Sequence, residues 1–267
     1  MKCYLAYFKL RFITSLQYRA AAWAGLATQI FFGFVFIMVY MAFYENGGNN
    51  LPMELSDLIT YVWLNQALLA LVNLMYKDRE LFNLIKTGNI AYELARPKNL
   101  YFLWYFKTIA ERLAMVILRG IPFFIFLLIL PEPYGITAPE TLKHLLLFLL
   151  TMTSGTLVMT SLVVLYPIIT MHTLNEKGIV GIIVATADIL SGEIVPIPFF
   201  PKILQKISNI LPFQYISDLP FRIYVGNISL IDGLKGLGIQ VIWIIILTIL
   251  GYYLMKKSFK KIVVQGG

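Results

Sequence analysis

The residues that are able to carry acid–base or metal chemistry are few and far apart. His144 and His172 are the only histidines, and the 28 positions between them correspond to about 42 Å along a helix that rises 1.5 Å per residue. They therefore cannot share a metal ion. The sequence has no His-Glu-x-x-His, no Gly-x-Ser-x-Gly and no paired acidic metal motif. We expect no catalytic residue, no metal site and no cofactor in this chain, and we predict that it is not an enzyme.

The motif for nucleotide binding is also missing. A Walker A loop has the pattern Gly-x-x-x-x-Gly-Lys-Ser/Thr, and the Gly-Leu-Lys-Gly at 233–236 does not have that spacing. If the protein uses ATP, another chain must bind it. Cys3 is the only cysteine, which excludes an internal disulfide and a metal site made of a cysteine cluster.

Three charged side chains lie in stretches that are otherwise apolar: Arg119, Asp188 and Glu193. In lipid, each would be costly unless it is paired, so each is a candidate functional residue. We expect Asp188 to pair with a polar neighbour, and the alternative is contact with substrate or a proton relay. Glu193 is expected near the outer boundary of the membrane. The long side chain of Arg119 is expected to reach toward the inner surface.

The composition indicates that lipid surrounds much of the chain. Of its 267 residues, 59% are hydrophobic and 13% are charged, whereas soluble domains have about 45–50% and about 25%. A globule of this length has no interior large enough for so much apolar surface. This excludes a secreted disulfide scaffold, a disordered chain and an ordinary cytosolic enzyme. Membrane topology explains the net charge of +8 better than a nucleic-acid partner does.

Six apolar stretches predict an all-α polytopic membrane protein with a single transmembrane domain over 1–267. About 20 apolar residues suffice to cross the membrane as a helix, and backbone groups in lipid must pair within their own segment. The third and fifth stretches are weaker because they contain the three charges. The predicted spans are 20–44, 57–76, 110–131, 142–168, 177–196 and 234–255.

The distribution of Lys and Arg predicts the orientation of these spans. Of the 22 Lys and Arg residues, sixteen lie on one side, five lie on the other, and Arg119 lies within the third span. We therefore expect both termini to be cytoplasmic. Segment 1–19 then predicts a helix at the inner membrane surface, 77–109 a cytoplasmic loop and 197–233 an outer segment.

The outer segment is expected to contain short helices. Between Pro201 and Pro212, apolar residues follow a helical stripe that begins at Ile203 and ends at Leu211, with polar residues opposite. This pattern predicts an amphipathic helix at the outer interface, followed by an irregular element around 221–224. The alternative is a structured cap that makes no contact with substrate.

The cytoplasmic loop predicts two short helices around a glycine turn. A mixed-charge stretch at 77–80 precedes the apolar Leu81, Phe82 and Ile85, and Gly88 separates them from 91–95. Such a hairpin could dock a partner protein. By composition alone, a pair of juxtamembrane helices held by anionic lipid is favoured.

The stretch Thr-Gly-Asn-Ile-Ala-Tyr-Glu-Leu-Ala-Arg-Pro at 87–97 resembles a hallmark of bacterial type-2 ATP-binding-cassette (ABC) transporter permeases. Within that family it resembles the six-span branch without a fused nucleotide-binding domain. The outer motifs at 190–192, 196–201, 211–213 and 218–224 resemble the same branch, as does 17–20. The resemblance covers essentially the whole chain. Asn89 departs from the family, which often has Asp at that position.

The resemblance implies a half-transporter. Two six-span permeases, which are copies or paralogues, would form the pathway, and two separate cassette ATPase subunits with ATP and Mg²⁺ would lie beneath them. It implies export of an apolar or amphipathic compound, such as a drug, a peptide or a lipid, across the bacterial cell (inner) membrane. The 77–109 loop would carry the helix that couples the two kinds of subunit.

Under this hypothesis the loop transmits the motion of the ATPase to the spans. Gly88 would form the turn, Tyr92 would be an apolar anchor, and Glu93 and Arg96 would be charged latches. The full set of candidate coupling residues is Leu81, Phe82, Ile85, Gly88, Tyr92, Glu93 and Arg96. The alternatives are a secondary carrier or channel that uses Asp188 and a membrane-embedded enzyme that acts on lipid.

Overall fold

The computed structural model describes residues 2–46, 51–75, 78–90, 93, 98–173 and 178–259. Within these residues every regular element is helical, which confirms the all-α fold class. The helices are α1 (Lys2–Ser15), α2 (Arg19–Asn46), α3 (Leu55–Ala67), α4 (Leu69–Val72), α5 (Arg79–Lys86), α6 (Leu100–Met115), α7 (Ile121–Leu127), α8 (Leu142–Thr173), α9 (Ile179–Leu190), α10 (Lys202–Ile210), α11 (Asp218–Tyr224) and α12 (Leu230–Phe259). A π-helical turn, Val116–Gly120, joins α6 to α7, and a 3₁₀ turn, Ile197–Phe199, precedes α10.

Three helices, α2, α8 and α12, are long and apolar enough to cross a membrane. They contain 28, 32 and 30 residues, so each exceeds the roughly 30 Å of bilayer hydrocarbon. They coincide with the predicted spans 20–44, 142–168 and 234–255. The sequence pattern identifies these three because the apolar run is long and uninterrupted.

None of the other three predicted spans is a single uninterrupted α-helix. Span 57–76 is divided at Leu68 into α3 and α4. Span 110–131 overlaps a helical stretch from Leu100 to Leu127 that contains a π turn just before Pro122, which has no amide hydrogen to donate. Span 177–196 contains only the 12-residue α9, which stops just before Gly192, whose φ is +80°. Six continuous spans therefore stay a prediction.

Helix α8 lies at the centre of the molecule. It packs against α12, α11 and α6, and its residues Val158 and Tyr166 are fully buried. Gln240 of α12 is also buried, and its amide donates hydrogen bonds to the carbonyls of Thr151 (2.8 Å) and Tyr215 (2.6 Å). This one side chain thus joins α12, α8 and the segment between α10 and α11.

The apolar side chains on the surface indicate what surrounds the protein. Phe31 and Met38 of α2 and Ile242 and Ile249 of α12 are largely exposed. Exposed apolar surface of this extent is unfavourable in water and favourable in hydrocarbon. Together with the three long helices it shows a membrane-embedded protein.

The packing of α8 against the segment before α11 requires a glycine, which gives a first prediction. Gly155→Ala is expected to destabilise the protein by about 1–3 kcal/mol, because its Cβ would lie 2.8 Å from the carbonyl oxygen of Ile216 and 2.9 Å from that of Tyr215. Gly238→Ala is the matched control, because a Cβ there meets nothing within 4 Å. Unfolding by SDS in dodecylmaltoside micelles, followed by tryptophan fluorescence, compares the two. Equal midpoints would contradict the close contact.

Candidate functional site

The first candidate site is centred on Lys107 of α6, whose side chain is 1% exposed. Its Nζ lies 2.6 Å from Oδ2 of Asp78 and 2.7 Å from Oε2 of Glu80, and Glu111 is 3.9 Å away. A buried ammonium needs such partners because burial removes its hydration. These ion pairs therefore attach the predicted cytoplasmic loop to α6.

Helix α1 joins the same cluster through Arg11. Its Nη1 and Nη2 donate to the two carboxylate oxygens of Glu80 at 2.9 and 3.2 Å, which is bidentate geometry. Glu80 therefore lies between Arg11 and Lys107. We refer to Arg11, Asp78, Glu80, Lys107 and Glu111 as the loop ion network, and it links α1, the start of α5 and α6.

The loop ion network keeps its members charged. Partial burial acts to raise the pKa of the Glu80 carboxyl, but hydrogen bonds from Arg11 and Lys107 outweigh it and lower that pKa to about 2. Burial acts to lower the pKa of Lys107, but the negative charges of Asp78 and Glu111 raise it above its ordinary value. Both effects favour the ion pairs at neutral pH.

Helix α5 has clear start and stop signals. The Asp78 side chain accepts the Leu81 amide at 3.1 Å and so caps the first turn, and Gly88 has a φ of +73°, which only glycine adopts readily. Leu81, Phe82 and Ile85 are buried. The structure thus places these three candidate coupling residues against the chain's own helices rather than on its surface.

The second half of the predicted hairpin is only partly described. Glu93 is buried, whereas Tyr92 and Arg96 lie outside the described residues. The coupling roles of all three stay predictions.

The helix predicted over 1–19 is present as α1, and it packs along α6. The ring of Tyr4 stacks on Phe106 with 5.8 Å between centroids, and its hydroxyl accepts the Asn99 amide at 3.2 Å. Because Arg11 also binds Glu80, α1 contacts both the loop and α6, the helix that follows the loop.

The charged residues of the predicted spans fall in two places. Asp188 and Glu193 are half-buried and interact electrostatically with each other, and the positive charge of Arg112 also acts on Glu193. Asp188 forms no hydrogen bond or ion pair with another described residue. Its predicted polar partner is therefore not found in the part of the chain that the structure describes.

Arg119 lies apart from this group, in the π-helical turn between α6 and α7. Its Nη2 donates to the carbonyl of Ala21 in α2 at 3.4 Å, and its guanidinium lies against Gly25. The sequence analysis found Arg119 but could not say that α2 is its neighbour.

Sequence reasoning missed Lys107 and Arg112 as site residues. Arg112 is 4% exposed, and its Nη1 donates to the carbonyl of Ala70 at 2.9 Å. A signal for both exists at Asn99, whose side chain accepts the Tyr101 amide at 3.1 Å and caps α6. An N-cap residue before an apolar run predicts a helix start, and it would have placed both cations inside a helix.

A second candidate site surrounds Asp218 of α11, which is 1% exposed. Its Oδ1 accepts hydrogen bonds from the hydroxyl of Tyr61 at 3.1 Å and from the Ile197 amide at 3.0 Å, and Arg222 lies 3.3 Å from Oδ2. The Tyr61 hydroxyl also lies 2.8 Å from the carbonyl of Gly192. Burial raises the pKa of Asp218 above its ordinary value, while Arg222 opposes the shift.

A cavity of about 600 Å³ opens beside Asp218, between α10, α11 and the start of α12. Two oppositely charged pairs line it, Asp218 with Arg222 and Asp232 with Lys235. The helix predicted between the two prolines is present here as α10. The predicted outer segment thus contains short helices beside a polar cavity.

The two histidines lie near opposite ends of α8. Nδ1 of His144 is 2.9 Å from the hydroxyl of Thr141, and Nε2 of His172 is 2.8 Å from that of Ser258. Each ring therefore contributes to packing at one end of the helix.

These features define a class of protein, a polytopic membrane protein whose connecting loop is tied to its spans by ion pairs. A comparison with protein families identifies the class further, because the model described as "ABC-2 family transporter protein" matches residues 25–266. The chain belongs to this family, and it is thus a permease subunit of an ABC transporter. No curated protein matches it.

The burial of Lys107 gives a second prediction. Lys107→Gln is expected to lower the free energy of unfolding by about 3 kcal/mol, because it leaves Asp78 and Glu80 without their buried cation. Lys143→Gln, at an exposed position in α8, is the control and is expected to change little. Denaturation by SDS in mixed micelles measures both variants. A loss below about 0.5 kcal/mol for Lys107→Gln would contradict the proposed importance of its ion pairs.

A third prediction concerns pH. Because the pKa of Glu80 falls from 4.5 to about 2 in the folded protein, its stabilising effect is complete above pH 4.5 and is lost as the pH falls through 2. The side chain is 54% exposed, so the effect is expected to be below about 1 kcal/mol. The difference in stability between wild type and Glu80→Gln should therefore shrink as the pH is lowered from 6 to 3. A difference that is constant over this range would contradict the lowered pKa.

Proposed function

We propose that this chain is one of two permease subunits of an ATP-driven exporter that moves an apolar or amphipathic compound out of the bacterial cytoplasm. A drug, a peptide or a lipid fits this description. Two separate cassette ATPase subunits would bind ATP and Mg²⁺, and both termini of the permease would be cytoplasmic. Membership of the ABC-2 family supports the permease role, and the Lys and Arg distribution supports the orientation.

The observation that carries the proposal is the attachment of α5. One side of this helix is fixed to the spans, because Asp78 and Glu80 bind Lys107 and because Leu81 and Ile85 pack in a cluster that includes Ile168 of α8. A displacement of α5 would therefore act on α6 and α8 together. In an ABC exporter, the ATPase would supply that displacement.

The other side of α5 and its turn is available to a partner. Asn83, Thr87 and Asn89 are exposed and uncharged, and Arg79 and Lys86 of the same helix are exposed and positively charged. Such a surface suits reversible docking of a soluble domain better than permanent burial. In this arrangement Leu81, Phe82 and Ile85 transmit force on the buried side, while the exposed residues face the ATPase. Tyr92, Glu93 and Arg96 would extend the docking surface as an anchor and two latches.

A second permease, copy or paralogue, would cover part of the exposed apolar surface, and lipid would cover the rest. Helix α9 is a candidate for the contact, because Asp188 is only half-buried on an otherwise apolar helix. A carboxylate that faces hydrocarbon is costly. A neighbouring subunit or an aqueous pathway next to α9 would remove that cost, which makes Asp188 and Glu193 candidate pathway residues.

A secondary carrier or channel is the second candidate. The absence of an ion pair for Asp188 among the described residues favours it, because ion-coupled transport needs a carboxylate that can exchange its cation. In a carrier, an ion that moves down its gradient would drive the transport of the solute. The purified permease alone would then be sufficient for transport. Asp188→Asn would then abolish transport, and no ATPase would be required.

A fourth prediction tests the coupling role. We expect a cassette ATPase to co-purify with the permease from native membranes, and we expect Arg11→Ala and Glu80→Ala each to lower transport per ATP hydrolysed severalfold. The double variant should lose little more than Glu80→Ala alone, because that variant already removes the contact with Arg11 as well as the one with Lys107. Glu45→Ala, at the exposed end of α2, is the control. Unchanged coupling in both single variants, or no associated ATPase, would overturn the proposal.

A further inference from the structure

Arg119 is a partly exposed cation of a membrane-embedded protein, and no carboxylate of the described residues balances it. Among the described residues no acidic side chain interacts with it, and its single hydrogen bond is the one from Nη2 to the Ala21 carbonyl. Its Nε is buried and has no hydrogen-bond partner. The buried cations Lys107 and Arg112 differ, since Lys107 has carboxylate partners and Arg112 acts electrostatically on Glu193.

The chain makes room for the guanidinium rather than excluding it. A Cβ at Gly25 would overlap the guanidinium group, with 2.6 Å to Nη1 and 2.8 Å to Nε, so a larger residue there would displace Arg119. The π-helical turn Val116–Gly120 also widens the helix at this point, and π turns occur frequently at functional sites. Two separate features of the fold thus hold one arginine side chain in place.

The position of the guanidinium along α2 gives its depth. Ala21 and Gly25 are two and six residues from the start of α2 at Arg19, which corresponds to about 3–9 Å along the helix axis. In the topology proposed above, that start lies at the inner membrane surface. Arg119 is therefore at the level of the phosphate and glycerol groups of the inner leaflet.

The surroundings of Arg119 face lipid. Ala21 beside it is exposed, and Ile117 and Ile121, on the same segment, are 43% and 53% exposed. An anion that reaches this position must itself tolerate the edge of the hydrocarbon. A phospholipid does so, because its phosphate lies next to its acyl chains.

We propose that Arg119 binds the phosphate of an anionic phospholipid of the inner leaflet, in a site that is formed by the π-helical turn and by Gly25 of α2. The guanidinium can offer a phosphate two parallel N–H donors, and this geometry distinguishes arginine from lysine. A lipid with a net charge of −1 balances the unpaired positive charge. The acyl chains lie against the exposed isoleucines.

Only the assignment to the inner leaflet rests on the proposed function, so the test measures binding without an ATPase. The full chain is purified in dodecylmaltoside, freed of lipid and titrated with dioleoylphosphatidylglycerol, and native mass spectrometry counts the bound lipid. We expect one tightly bound lipid per chain. Arg119→Gln should weaken it about tenfold, the size expected for a charge-assisted contact, and Arg119→Lys should weaken it less.

Two further variants separate this site from other effects. Gly25→Leu keeps the charge of Arg119 but fills its space, and it should weaken binding as Arg119→Gln does. Lys9→Gln removes an exposed positive charge from α1 and should leave binding unchanged. Equal loss in Lys9→Gln would mean general electrostatic attraction and would overturn the proposal.

The ligand itself is tested by comparison. Dioleoylphosphatidylcholine should bind more weakly than the phosphatidylglycerol, and inorganic phosphate should not compete at millimolar concentration. Equal binding of the zwitterionic lipid, or competition by free phosphate, would overturn the assignment to an anionic lipid. If phosphatidylglycerol bound the wild type and Arg119→Gln equally, Arg119 would not be part of the binding site. None of these results depends on whether the protein is an exporter.

Discussion

A charge that is removed from water must be balanced nearby, and this constraint determines how the chain is assembled. Lys107 is almost completely buried in α6, and the carboxylates closest to it come from Asp78 and Glu80 at the start of α5. An uncompensated buried ammonium would cost several kcal/mol. If the connecting loop separated from the spans, Lys107 would lose its partners and the protein would lose that stabilisation. The position of the loop therefore depends on Lys107.

The same constraint has a different solution at each of the other charges. Asp218 is balanced within its own segment by Arg222 and by hydrogen bonds from Tyr61 and a backbone amide. Arg112 shares its environment with Glu193. Arg119 and Asp188 have no such partner within the described chain, and both lie where lipid or another subunit can reach them. In both proposals, the charges that the described chain does not balance mark the surfaces where it would meet other molecules.

The elements that could be predicted from the sequence are those defined by local pattern. Helices α2, α8 and α12 follow from long apolar runs, and α10 follows from a stripe between two prolines. The division at Leu68 could not be predicted, because no glycine or proline marks it, whereas Pro122 and Gly192 are local signals for the π turn and for the end of α9. From the sequence, Lys107 contributed only to the Lys and Arg count that predicts the orientation of the spans. Its partners are 27 and 29 positions away in the chain, and composition carries no information on which distant charges meet.

Ion pairs with Lys107 and with Arg11 attach α5 to the rest of the chain, and they differ in strength. This difference affects how a partner protein could move α5. The pair Lys107–Asp78 is 1% and 14% exposed, so water screens it little, whereas Arg11–Glu80 is 22% and 54% exposed. Exposed ion pairs contribute about 0–1 kcal/mol, much less than it costs to break a buried one. A force on α5 should therefore carry α6 along and separate Arg11 from Glu80 first. This exposed ion pair would then be a reversible contact between α1 and the loop, and the motion would pass into the spans through Lys107.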